Sequence, residues 1–125
     1  MSPKLIISLD FELFWGTVDC ENINKRRNII EKEIKVIPSL LDLFEKHNIH
    51  TTWAIVGMTM CDNYDEWISI KPRFYPTYKN AFSPYKIKEL VYKNENLFFS
   101  PELISKIKEC PNQEIGSHSY SHFYC

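Results

Sequence analysis

The chain has 125 residues, of which 44% are hydrophobic and 14% aromatic, with 15 basic and 16 acidic residues and a formal net charge of −1. That size fits one globular domain with a real core. The charges are mixed along the chain with no basic stripe or acidic tail, which argues against nucleic acid and anionic membranes as partners.

The first segment, "KLIISLD" (4–10), is a short continuous apolar run rich in Ile and Leu. It predicts a strand buried on both faces, as in a parallel sheet. It meets Asp10 and Glu12 too soon for a signal peptide. No apolar stretch reaches the ~20 residues needed to cross a bilayer, so a soluble, cytoplasmic protein with no membrane partner is expected. "FELFWGTVDCENIN" (11–24) then reads as an irregular loop.

From about Lys25 the period changes. Ile30, Ile34, Ile37, Leu41 and Phe44 follow steps of four, three, four and three along one helix face. Pro38 is expected to bend this helix or mark a restart. "EKHN" closes it, with Lys46 and His47 suited to the C-terminal end of the dipole.

"IHTTWAIVG" (49–57) predicts a second buried strand, completing a βαβ unit with parallel pairing and a right-handed crossover. Residues 58–82 carry Pro72 and Pro76 among several aromatics. They read as a long excursion with one helical turn, the aromatics from Trp67 to Phe82 forming satellite core. Two helices follow, "SPYKIKELVYKN" (83–94) and "SPELISKIKEC" (100–110), each opening with a Ser N-cap and Pro at the first helical position. Leu103, Ile104 and Ile107 share one face of the second. "QEIGSHS" (113–119) predicts the end of a third strand running into a turn. The alternation implies an α/β fold with parallel strands.

Cys20, Cys61, Cys110 and Cys125 are scattered with no C-x-x-C pair, so reduced thiols are expected, with no zinc role for Cys125. His47 and His50 flank the helix end and are expected to be structural. Chemistry concentrates where the predicted strands end, which is where ligands bind in parallel α/β folds. The first strand ends in Asp10-Phe11-Glu12 and the third runs into Gly116-Ser117-His118, with His122 four residues on. In extended backbone Asp10 and Glu12 project to one face. Histidines at i and i+4 can share one face of a helical turn and grip one metal. Two imidazoles and one carboxylate make an open site for zinc or a similar divalent ion. The other carboxylate is then free to act as base. The same residues also have plainer readings: a carboxylate after a strand is often an N-cap, and histidine pairs at this spacing also arise by chance.

"SLDFELFWG", "HTTWAIVG" and "EIGSHSYSH" stand in the order and approximate separation seen in the polysaccharide deacetylase family, carbohydrate esterase family four. The chain resembles most its surface-polysaccharide-biosynthesis branch, and the resemblance spans essentially all 125 residues. It implies a distorted (β/α) barrel and a metal-dependent hydrolase that removes N-acetyl groups from a carbohydrate. Carried over by position, it makes Asp10 the catalytic base and Glu12, His118 and His122 the ligands of a divalent ion, for which the donor set itself points to zinc. Where many members have two adjacent aspartates, Phe11 here separates Asp10 from Glu12, which leaves the division of labour between the two carboxylates open. The family's later motifs, with an arginine, further acidic residues and a general-acid histidine, have no counterpart up to Cys125. The expected unit is therefore a single partial domain, 1–125, truncated after the H-x-x-x-H motif. Two other functions fit the same residues: a same-fold C–N hydrolase acting on a small amide, and a non-enzymatic metal-binding fragment.

Overall fold

The computed structural model describes residues 4–74 and 83–122. Its centre is a three-stranded parallel sheet of β1 (Ser8–Phe11), β2 (Thr51–Ile55) and β3 (Gln113–Ser117), with β2 in the middle. Leu9 pairs with Trp53 and Trp53 with Ile115, while Asp10, Ala54 and Gly116 form the adjacent row. Because successive residues face opposite ways, the sheet has one face of Leu9, Phe11, Thr51, Trp53, Ile55, Gln113, Ile115 and Ser117 and another of Ser8, Asp10, Thr52, Ala54, Glu114 and Gly116.

The first face carries the core. Phe11, Trp53 and Ile55 are buried there with the apolar stripes of two helices. The longer is α1 (Ile23–Lys46), whose buried Ile23, Ile30, Ile37, Leu41 and Phe44 keep helical spacing. Asn22 caps it, its side chain accepting from the Asn24 N–H at 2.9 Å. The helix runs through Pro38 in a single 24-residue span rather than restarting. Its start at Ile23 is two residues ahead of the expected one. The shorter, α4 (Pro101–Glu109), buries Leu103, Ile104 and Ile107 as their spacing predicts.

The second face corrects the sequence expectation. β1 begins at Ser8 rather than Lys4, and it alternates exposed and buried positions instead of being buried on both sides. Leu5 and Ile6 are 87% and 86% exposed. A strand reads as continuously apolar when both faces are covered; among the described residues the apolar stripes pack only on the Phe11 face. β2 is likewise shorter than expected, five residues in place of nine.

The expected loop 11–24 contains a 3₁₀ turn, Leu13–Gly16, with Leu13, Phe14 and Trp15 all buried. Trp15 donates its indole N–H to the Phe98 carbonyl at 2.9 Å and packs edge-on against the Phe98 ring. The excursion after β2 holds a 3₁₀ turn, Gly57–Met60, and α2 (Tyr64–Ser69). Trp67 of α2 belongs to the main core, stacked on Tyr85 at 4.7 Å between centroids. Phe74 of that stretch is 88% exposed rather than part of a satellite core, and Pro76, Tyr75, Tyr78 and Phe82 lie outside the described residues, as does Cys125. The helix expected at 83–94 divides into a 3₁₀ turn, Pro84–Ile87, and α3 (Lys88–Lys93). Neither Ser83 nor Ser100 makes a side-chain capping hydrogen bond, although both occupy the capping position. No helix among the described residues is long and apolar enough to cross a membrane.

Candidate metal centre

The residue after β1 sets the first candidate ligand. The Phe11 carbonyl still takes part in the sheet, accepting the Val56 N–H at 3.0 Å. Glu12 then leaves extended geometry, its carbonyl accepting the Trp15 N–H at 3.1 Å to open the 3₁₀ turn. Leu13 has a left-handed backbone, φ 49°, which a Cβ-bearing residue adopts at a cost of about 1 kcal/mol or more. Burial of Leu13, Phe14 and Trp15 offsets that cost and fixes where the Glu12 side chain starts.

The other two candidate ligands come from the far edge of the sheet. β3 ends at Ser117, and the His118 N–H still donates to the Ile55 carbonyl at 2.8 Å. The chain then turns over the end of β2. Gly57 and Met58 N–H groups donate to the Ser119 and Tyr120 carbonyls, both at 2.9 Å. The Gly57 contact is close: a Cβ there would stand 3.1–3.2 Å from the Tyr120 ring and Cα. Two hydrogen bonds therefore hold the segment between the histidines against the residues that follow β2.

This segment is not a helical turn, and that expectation is corrected. Ser119 and His122 have φ 60° and 51°, values a right-handed helix excludes. The imidazoles meet instead across a turn in which Ser119 and His122 are left-handed, with ring centroids 5.0 Å apart at 66°. Of the five described non-glycine residues with positive φ, Leu13, Ser119 and His122 lie in or beside the site. Sparsely populated backbone of this kind persists where surrounding structure holds it, and it clusters at functional sites.

Glu12 Oε2 lies 3.2 Å from His118 Nε2 and 3.0 Å from His122 Nε2. β1 and β3 flank β2, so their ends are about 9.5 Å apart by two interstrand spacings. The long glutamate side chain and the imidazoles cross that gap. All three side chains are partly exposed, 28% for Glu12, 33% for His118 and 19% for His122. Their ligand atoms lie within 4.8 Å of one another, a group that could hold a metal ion. The donor set fits, and so do the two spacings from Glu12: two donors about 2.05 Å from an ion sit about 2.9 Å apart at right angles and about 3.3 Å apart in a tetrahedron. The observed 3.0 and 3.2 Å fall between these.

Asp10 is not in that group. It occupies the exposed second face of the sheet, in the row of Ala54 and Gly116, two positions before Glu12. His47 and His50 are exposed and distant in role, His47 closing α1 with its backbone N–H.

Two further residues bear on the centre that spacing did not reveal. Glu33, half-buried on α1, has its carboxyl held above the usual value by burial and next by the charge of Glu12, with Arg26 pulling the other way. Gly16 is the other, through the room it leaves for the Glu12 carboxyl. Beside the histidines, the Tyr120 and Tyr85 hydroxyls are 3.4 Å apart, and burial raises both phenols above their ordinary range.

Comparison with known proteins gives no match to a family model, to a curated protein or to a solved structure.

Proposed function

We propose that the chain is a metal-dependent deacetylase of the polysaccharide deacetylase type, acting on N-acetyl groups of a carbohydrate. One observation carries this reading: Glu12, His118 and His122, drawn from two of the three family-like motifs, stand together beyond the carboxyl ends of parallel strands. The ion is zinc, which two imidazoles and one carboxylate suit while leaving an open position.

When bound, such an ion supplies positive charge that polarises an amide carbonyl. Glu12, His118 and His122 hold it. Asp10, on the exposed face of β1, receives the proton of the attacking water and thereby raises its nucleophilicity. All three ligand side chains are partly exposed, as access by a substrate from solvent requires. No group in this reading donates the proton that the leaving amine requires, and the lack of such a general acid typically lowers a rate by about 10²–10⁴-fold.

Zinc titration by calorimetry and acetate release from N-acetylated oligosaccharides test the proposal together. Wild type is expected to bind one zinc ion. His118→Ala loses affinity by more than about 100-fold, beyond what a ligand's supporting neighbours contribute. Binding weakens as pH falls, because protons compete for both imidazoles. Asp10→Asn keeps zinc affinity but releases no acetate. Equal affinity in wild type and His118→Ala rejects the ligand set. Turnover of a small N-acyl amide but not of the oligosaccharide moves the chain to a different C–N hydrolase, and stoichiometric zinc with no turnover of either leaves a metal-binding protein.

A further inference from the structure

Glu12 presents its two carboxylate oxygens in different directions. Oε2 faces both histidines, while Oε1, with Cδ and Cγ, lies where a Cβ on residue 16 would stand. Gly16 ends the 3₁₀ turn that starts one residue after Glu12, so the side chain folds back over its own turn into the space the glycine leaves. We infer that Gly16 is a positioning residue for the metal-binding carboxylate: the missing side chain is a notch that seats the Glu12 carboxyl against His118 and His122. The inference rests on the ligand set proposed above.

Steric and conformational terms separate here, which makes the role testable. Gly16 does not have positive φ, so its backbone conformation is open to alanine. A glycine-to-alanine change at such a site ordinarily stabilises, by restricting the unfolded chain. The group that an added methyl displaces is the far end of a flexible glutamate, not backbone. Gly16→Ala is thus expected to leave the metal-free fold as stable as before or more so, while pushing the carboxylate off its seat. A purely structural glycine predicts the opposite pairing: a weaker fold and ligands in place.

The experiment is a double-mutant cycle over Glu12→Ala and Gly16→Ala, reading zinc affinity by calorimetry and the metal-free melting temperature by circular dichroism. In the wild-type background Gly16→Ala is expected to weaken zinc binding by about tenfold or more, the scale on which ligand-orienting groups act, with no fall in melting temperature. In the Glu12→Ala background the same change is expected to leave the residual affinity unaltered, since no carboxylate remains to displace. Unchanged zinc affinity in Gly16→Ala, or an equal loss in both backgrounds, overturns the inference. If Gly16→Ala alone fails to fold, recovery of folding in the double variant supports the steric overlap and failure of both overturns it. Absence of zinc binding by wild type, or full binding by Glu12→Ala, removes the ligand set itself and is read separately from any effect at position 16.

Discussion

Trp15 anchors the turn that follows Glu12. Its ring fills the core against Phe98 and Trp67, and its N–H satisfies the Phe98 carbonyl. Trp15→Ala is expected to cost about 3–5 kcal/mol by cavity formation, read from urea unfolding; a loss under 1 kcal/mol would mean that the turn after Glu12 is not anchored there. Cys61 gives a pH dependence. It is buried, and burial first, then the charges of Glu66 and Asp62, push its thiol up to about 11 from an ordinary 9.0. The unfolded thiol ionises near pH 9 while the folded one remains protonated, so the contribution is complete below pH 9 and is lost as pH rises towards 11. Wild type should therefore lose more stability than Cys61→Ala between pH 8.5 and 11, measured by denaturant midpoints. Parallel slopes would contradict this.

At the scale of elements, α1 and α4 are legible in the sequence because a buried stripe recurs every three or four residues, from Ile30 to Phe44 and from Leu103 to Ile107. The turn Leu13–Gly16 is not legible, since four residues are too few to show a period and its left-handed Leu13 follows no composition rule. Pro38 misleads in the other direction: local chemistry says break, yet the stripe on both sides packs on one core and carries the helix through. An interior proline costs about 3 kcal/mol, and its removal loosens the unfolded chain by up to about 1 kcal/mol. Pro38→Ala is thus expected to raise stability by about 2 kcal/mol in urea unfolding. No gain would show that the helix is already relieved at that turn.

For the molecule as a whole, the order of strands, helices and ligand-bearing ends was legible from period and position, and Glu12, His118 and His122 are brought together. What burial on each sheet face would be was not legible, because an Ile- or Leu-rich run such as 4–10 reads the same whether or not something covers its second face. That uneven cover has a measurable result. The Val56 N–H, fully buried and bonded to the Phe11 carbonyl, is expected to exchange with deuterium only through global unfolding, whereas amides on the outward edges of β1 and β3 exchange through local opening. Equal protection across the three strands would indicate that another surface covers those edges.

The middle position of β2 has one more consequence. Glu12 follows one outer strand and the histidines follow the other, so their meeting depends on two independent pairings. A slip of one residue in either pairing turns the slipped strand's side chains to the opposite face and separates carboxylate from imidazole. A ligand that required all three groups would therefore select, from a refolding population, only chains in which both registers are right.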